Sequence, residues 1–329
     1  MKKFASKWFT VVFPLMIGVS IIYYQYSTLS IQELSNIKIS FQKANYNYIY
    51  LSLVLSFLGY WLRAYRWKFS LNHLGYQSKF SNNFATVSVS YLVNLTIPRS
   101  GEISRAALLK KYENIPFDKG FGTIIAERIV DLMIFLIFVL IGFISQFDTL
   151  FEFIKNKNIS YSSILIFIIS GFLLFIVFVL IWIYAEWEIV LKLKKKLSGL
   201  TEGVFSVYKM ENRWKYILYS FLIWICYLIM FYITIFALPE TSNIGFNVVI
   251  MGFIFGSVAV GFTNGGLGAF PLSIALIFSL YGISNQVGTA FGWLVWTSQT
   301  MFTIAMGLIA YILLPIQNKN YNPKKLESI

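Results

Sequence analysis

Apolar residues along the chain are grouped in blocks of about 15 to 25 residues, and short polar stretches separate the blocks. Each block is long enough to cross a bilayer hydrocarbon core of about 30 Å as a helix. A helix satisfies its own backbone hydrogen bonds in lipid, so the pattern favours an all-helical membrane protein. The predicted spanning helices are 8–27, 46–66, 119–145, 160–184, 214–238 and 288–314.

Two further apolar stretches are interrupted by polar or glycine-rich sequence. The stretch 80–97 contains several Asn and Ser residues and stops at Pro98. The stretch 247–281 is broken in the middle by the residues 264–268, which read Asn-Gly-Gly-Leu-Gly. We predict that both stretches are re-entrant helical hairpins, which leave the membrane on the side from which they enter.

The distribution of basic residues supports this topology, because Lys and Arg in short loops stay on the cytoplasmic side. With both hairpins re-entrant, 22 of the 27 basic residues lie inside, 4 lie outside and Arg128 lies within the membrane. If 80–97 crossed the membrane, the basic cluster from Lys192 to Lys215 would move outside. We therefore predict an all-α integral membrane protein with about six spanning helices, two re-entrant hairpins and cytoplasmic termini.

The two halves of the chain have the same order of elements in opposite directions. The halves are 46–145 and 214–314, and Gly101 and Gly268 lie 55 and 54 positions after their starts. Inverted halves with broken helices are typical of secondary transporters and flippases. The alternative is a chance similarity of spacing among the apolar blocks.

Composition narrows the functional classes. Charged residues make up 12% of the chain, against about 25% in soluble domains, which excludes a soluble enzyme. The net charge of +13 falls on little water-exposed surface and indicates membrane orientation and anionic lipid partners rather than nucleic acid. One cysteine and one histidine leave no basis for a thiolate or zinc site, and no phosphate-loop motif is visible, so no cofactor is predicted.

The first break carries the residues for an anion site. Pro98 ends the incoming segment, Gly101 allows a tight reversal, and Glu102 begins a short helix. Glu102 and Arg105 are three positions apart and can face one another. The helix start attracts anionic groups, and Arg99 and Arg105 beside it strengthen that attraction. The alternative is that both arginines are simply charges at the inner surface.

Three charges, Glu127, Arg128 and Asp131, lie within a predicted span, where together they cost about 8–10 kcal/mol on insertion scales. They must therefore face the protein interior. Arg128 and Asp131 can pair at this spacing. We expect Glu127 to find a second cation, Arg63 or Arg105, or to stay protonated as a proton-coupling site. The alternative is a purely structural ion pair, although intramembrane charges are usually functional.

Two other groups are weaker candidates for substrate binding. Arg63 and Arg66 lie among aromatic residues at an inner helix end, where they can grip a lipid phosphate or merely fix the topology. Gly265, Gly266 and Gly268 permit close backbone approach, although such residues also occur wherever membrane helices pack tightly.

At these positions the sequence resembles the flippase-like transmembrane region of lysylphosphatidylglycerol synthases and its stand-alone relatives, over about residues 10–315. The resemblance rests on Arg63 with Arg66-Trp67, Pro98 with Gly101-Glu102 and Arg105, Glu127-Arg128 with Asp131, and Gly265-Gly266-Leu267-Gly268. It implies translocation or binding of an anionic or aminoacylated phospholipid or a polyprenyl-phosphate carrier. Archaeal relatives connect the family to lipid-linked sugars. Family members often carry an acid after the second glycine motif, and this chain has Ala269-Phe270-Pro271 there, which puts a role for that acid in doubt.

The resemblance completes the functional hypothesis. We expect one transmembrane domain, 1–316, with a cytoplasmic polar tail, 317–329, in a bacterial cytoplasmic membrane. The two hairpins are expected to enclose a polar pocket, with a lipid phosphate near Arg99, Arg105 and the helix start at Gly101. The full-length synthases add a soluble aminoacyl-transferase domain, and the chain stops at Ile329, so we expect no enzymatic activity. The alternatives are a membrane transferase acting on lipid-linked sugars and a non-transporting scaffold.

Overall fold

The computed structural model describes residues 30–97, 99–147 and 207–319, together with 16, 19–24, 26, 27 and 170. The secondary structure of these described residues is helical, without strands. Several sequence predictions therefore lie outside the described residues. They are most of the span 8–27, the span 160–184 apart from residue 170, the role of Pro98, and the tail beyond residue 319.

The helices follow the predicted blocks in both halves of the chain. A first helix, α1 (Ile31–Lys43), precedes the first half. The first half contains α2 (Tyr46–His73), α3 (Phe80–Thr96), α4 (Ser100–Glu113) and α5 (Phe117–Ser145). The second half contains α6 (Arg213–Ile235), α7 (Phe246–Phe262), α8 (Ala269–Leu280) and α9 (Asn285–Gln317). The stretch 80–97 is one helix, α3, which a short break joins to α4, and we call this pair the first hairpin. The stretch 247–281 contains two helices, α7 and α8, which a second short break joins as the second hairpin.

Helix length and surface character agree with a membrane location. Among the described helices, α6 and α9 are long and apolar enough to cross a membrane. The charged helices α2 and α5 have 28 and 29 residues, or about 42 Å each at 1.5 Å per residue. On α5, Leu132, Leu136, Leu140 and Ile144 form an exposed apolar stripe that suits contact with lipid chains. Glu127 and Asp131 of α5 lie buried on another face.

At the first break, α3 and α4 approach each other more closely than the sequence alone indicates. The left-handed residue is Arg99, with φ 60°, and it precedes the first residue of α4. Gly101 is the second residue of α4, and its amide donates to Asn94 Oδ1 at 2.7 Å. A Cβ atom on Gly101 would overlap the carbonyl oxygen of Ser90 and the side chain of Asn94. Gly101 is therefore required for the close approach of α3 and α4.

The second break uses glycine for a different reason. Gly265, Gly266 and Gly268 have φ values of 63°, 80° and 69°, a region that L side chains rarely adopt. Their backbone conformation turns the chain between α7 and α8, so that the two helices pack against each other as a hairpin.

The ends of the two hairpins meet. Asn264 Nδ2 donates to the carbonyl oxygen of Leu95 at 2.9 Å, which joins the second break to the end of α3. A Cβ atom on Gly265 would lie 2.9 Å from Leu95 Cδ2. Trp296 of α9 holds the same break by donating its indole N–H to the carbonyl oxygen of Gly265 at 2.8 Å. The first and second hairpins are therefore in direct contact at their breaks.

Helices of one half pack against helices of the other half. Helix α2 packs along α6, α3 packs against α9, and α5 packs against α7. Each half also has its own apolar core. Buried residues of α2, α3, α4 and α5 form one core around Trp67 and Ile124. Buried residues of α6, α7, α8 and α9 form the other around Phe231 and Phe278.

Candidate functional site

Seven charged side chains from three helices of the first half converge on one site, which we call the ion cluster. Helices α2, α4 and α5 each present these residues toward the same side, because the residues lie three or four positions apart, except for the neighbours Glu127 and Arg128. Four guanidinium groups and three carboxylates give the cluster a formal charge of +1. Its members are Arg63, Arg66, Glu102, Arg105, Glu127, Arg128 and Asp131.

Asp131 forms the centre of the α2 side of the cluster. Its carboxylate accepts hydrogen bonds from Arg63 Nη1 at 2.8 Å and from Arg66 Nη1 at 2.6 Å. Arg66 Nη1 also donates to Ser220 Oγ of α6 at 2.8 Å. All three charged side chains are buried, and their direct hydrogen bonds join α2 and α5. Charge-assisted bonds of this kind are the strong ones in a protein interior.

Glu127 has a second cation, and the structure selects Arg105 from the two candidates. Arg105 Nη1 donates to Glu127 Oε2 at 2.6 Å, and Arg105 Nη2 donates to Oε1 at 3.3 Å. Arg66 Nη2 lies 3.7 Å from the same carboxylate. Glu127 is fully buried and paired on both oxygens, which joins α4 to α5.

Glu102 pairs across the helices rather than along its own helix. The expected contact between Glu102 and Arg105 is wrong, because Arg105 is turned to Glu127 and is buried. Glu102 Oε1 instead lies 2.9 Å from Arg128 Nη2. Arg128 and Asp131 are 3.8 Å apart, so their predicted pairing is present as a longer contact. The side chain of Arg128 is 38% exposed and that of Glu102 is 16% exposed, so this pair is the open edge of the ion cluster.

Aromatic rings cover the buried arginines. The Arg105 guanidinium lies 3.6 Å from the ring centroid of Trp67, whose indole N–H donates to Thr123 Oγ1 at 2.8 Å. The Arg66 guanidinium lies 5.3 Å from the ring of Tyr216. Such cation–π contacts stabilise a desolvated cation. The sequence pattern did not predict Tyr216 or Ser220 as partners of the arginines, although Ser220 is the one serine of α6.

The remaining predicted site residues, Arg99 and the glycines of the second break, lie outside the ion cluster. Arg99 is exposed at the start of α4, and the structure gives its side chain no ion pair with a described residue. Gly265, Gly266 and Gly268 lie at the second break, where Gly265 lies against Leu95, and Gly266 lies against apolar and aromatic side chains. The second break therefore forms a contact between the hairpins. The charged residues of the ion cluster all come from the first half, and α6 contributes Ser220 and Tyr216, which contact Arg66.

Comparison with known proteins places the whole arrangement in a family. Over residues 11–307 the chain matches the family described as the lysylphosphatidylglycerol synthase TM region. It is 37% identical over 99 residues to the UPF0104 membrane protein of Methanocaldococcus jannaschii, which covers 29% of this chain and 30% of that protein. It is 36% identical over 73 residues to glycosyltransferase AglD of Haloferax volcanii, which covers 22% of this chain and 12% of that protein.

These two relatives are matched over less than a third of their own length. No solved structure matches the chain. The family match is much longer, because it extends from before α1 into α9 and includes the ion cluster and both breaks. The chain therefore belongs to the lysylphosphatidylglycerol synthase transmembrane family of membrane proteins.

Proposed function

We propose that the protein binds a lipid with an anionic, phosphate-bearing headgroup and moves that headgroup across a bacterial cytoplasmic membrane. The observation that carries this proposal is the ion cluster, which has one more guanidinium than carboxylate and opens at Arg128 and Glu102. A phosphate can replace Glu102 on Arg128, because Glu102 is partly exposed and keeps access to polar surroundings when released. The buried pairs behind Arg128 stay intact during that exchange.

The arrangement of the halves supplies a route between two states. Helices α3 and α7 have 17 residues each, and α4 and α8 have 14 and 12. We propose that the halves are inverted, with both chain termini in the cytoplasm, so that the hairpins enter from opposite membrane faces and meet at Leu95 and Asn264. Inverted halves can exchange roles as access alternates between the two sides.

Lipid movement in proteoliposomes tests this function. We expect the wild type to move fluorescent phosphatidylglycerol between leaflets, followed as the fraction of fluorophore that an added impermeant reductant reaches. Arg128→Gln is expected to slow that movement roughly tenfold, the loss for one charge-assisted hydrogen bond. Lys119→Gln removes an exposed cation from the same helix and is the matched control, with an expected rate near that of the wild type. Equal rates for both variants would contradict the role of Arg128, and an inactive wild type would contradict the function.

A membrane transferase acting on lipid-linked sugars is the second candidate, and the partial similarity to glycosyltransferase AglD favours it. A general base needs a free carboxylate oxygen. Glu127 and Asp131 are each held by arginines, whereas Glu102 Oε2 has no hydrogen-bond partner among the described residues. Glu102 is therefore the base that this candidate requires. Turnover of a polyprenyl-phosphate sugar by the wild type and its loss in Glu102→Gln would favour the transferase, and unchanged turnover in the variant would exclude Glu102.

A further inference from the structure

One face of α2 is polar along most of the helix, and we call this face the α2 seam. Its residues recur every three or four positions, which places them in one stripe of the helix. The stripe extends over 19 residues, or about 27 Å, close to the thickness of a bilayer core. All of its members are buried, and they are Ser52, Ser56, Tyr60, Arg63, Arg66 and Ser70.

Helix α9 completes the uncharged part of the α2 seam. Ser56 Oγ donates to Gln299 Oε1 at 2.6 Å, and Gln299 Nε2 donates to Ser52 Oγ at 3.3 Å. One helical turn further on, the hydroxyls of Tyr60 and Thr303 are 2.9 Å apart. The uncharged part of the seam therefore presents hydroxyl and amide groups from two helices, one in each half of the chain.

Two tyrosines connect the uncharged part to the ion cluster. The ring of Tyr91 from α3 lies 4.6 Å from the ring of Tyr60, and its hydroxyl lies 3.4 Å from the hydroxyl of Tyr227 from α6. The Arg63 guanidinium lies 6.0 Å from the Tyr91 ring. Tyr227 packs over Gly59 of α2, where a Cβ atom would lie 3.0 Å from the Tyr227 ring. Polar groups thus follow α2 continuously from Ser52 to the arginines.

We infer that the α2 seam is the route of the headgroup, and that its ligand is a polyol phosphate, such as a glycerol phosphate or a sugar phosphate, without an amino group. This inference rests on the proposed function and names its substrate class. The arginines suit the phosphate, and the Ser, Gln, Thr and Tyr groups suit hydroxyls. The hydrogen bonds described for the uncharged part include no carboxylate.

The charge of the site argues against a cationic headgroup. Glu127 and Asp131 are each in contact with two or more arginines, so neither carboxylate is free to receive an ammonium group. Glu102, the third carboxylate, faces Arg128, where the phosphate is proposed to bind. A lysyl headgroup would meet a cluster of formal charge +1, and like charges in a medium of low dielectric constant repel strongly. An aminoacylated lipid is therefore expected to move more slowly than the same lipid without its amino acid.

A comparison of lipids and seam variants tests the inference. In proteoliposomes we expect the wild type to move fluorescent phosphatidylglycerol or a polyprenyl-phosphate hexose faster than lysylphosphatidylglycerol. Comparing the rates of the first two lipids shows whether the ligand is a glycerol phosphate or a sugar phosphate. The double variant Gln299→Leu with Thr303→Val is expected to lower the faster rate roughly tenfold or more, because two hydrogen-bonding groups are lost. Ser298→Ala removes a hydroxyl that bonds only to its own helix backbone and is the control, with an unchanged rate.

Polar groups between membrane helices can also serve only as packing contacts. To separate that role from a headgroup route, Tyr91→Phe with Tyr227→Phe removes hydroxyls and keeps both rings, so the fold is retained. We expect this variant to move the preferred lipid more slowly at an unchanged thermal unfolding midpoint. Wild-type rates in folded seam variants would overturn the route, and a faster rate for lysylphosphatidylglycerol would overturn the substrate class. Both outcomes leave lipid movement by the wild type intact, whereas an inactive wild type would overturn the proposed function as well.

Discussion

Asp131→Ala is expected to lower the free energy of unfolding by about 3–5 kcal/mol, because it leaves two buried arginines without their carboxylate. Arg63 and Arg66 both bond to Asp131 and have almost no exposed surface. Neither guanidinium can reach water without separating α2 from α5. The measurement is reversible unfolding in mixed detergent micelles, followed by the helical circular dichroism signal.

The control for this prediction is Asp118→Ala, which removes an exposed acid from the first turn of the same helix. This variant is expected to lower the free energy of unfolding by at most about 1 kcal/mol, because it removes only a favourable negative charge at the start of a helix. If Asp131→Ala unfolded as easily as the control and no more, the two arginines would not depend on Asp131 in the folded protein.

The double variant Arg105→Met with Glu127→Met is expected to keep the fold and to lose most lipid movement. A buried ion pair replaced by apolar residues of similar volume is often neutral for stability. Arg66 loses its contact with Glu127 at 3.7 Å but keeps its hydrogen bond to Asp131 at 2.6 Å. The double variant leaves the formal charge of the ion cluster at +1 but removes the bonds that hold α4 against α5 behind Arg128. Movement of phosphatidylglycerol is therefore expected to slow roughly tenfold to hundredfold, the loss for a displaced binding group.

Single variants show whether the pair has a function beyond stability. Arg105→Ala and Glu127→Gln each leave a buried partner uncompensated, so both are expected to be less stable than the double variant. A double variant that is folded and moves lipid at the wild-type rate would make this pair purely structural. The measurements are the leaflet-exchange rate and the unfolding midpoint of the same preparations.

The sequence predicts the helices well because long apolar blocks are a strong signal. The breaks lie at the predicted places, after α3 and between α7 and α8, and the hydrogen bond from the Gly101 amide to Asn94 helps to hold the first break closed. The positive φ of Arg99, however, follows from the packing of α4 on α3, which no local pattern indicates.

The partners of the charges were harder to predict than the charges themselves. Insertion energetics require Glu127 and Asp131 to be paired, but they do not select the partner. The spacing of Glu102 and Arg105 favours a contact within one helix, and the structure shows that each finds a partner on α5 instead. Gln299 of the α2 seam also escaped prediction, because isolated polar residues occur in many membrane helices that pack together.

The most direct test of the proposed inverted topology is to determine the side of the membrane from which each hairpin enters. The native cysteine is first removed by Cys226→Ser. Single cysteines are then placed at Gln77 and Asp118, which flank the first hairpin, or at Glu240 and Asn285, which flank the second. All four positions are exposed. The measurement is labelling by an impermeant maleimide in right-side-out and inside-out vesicles. The proposed topology predicts that cysteines at Gln77 and Asp118 are labelled only in inside-out vesicles. Cysteines at Glu240 and Asn285 are expected to be labelled only in right-side-out vesicles. Labelling of Gln77 and Asp118 from opposite sides, or of all four sites from one side, would contradict this topology.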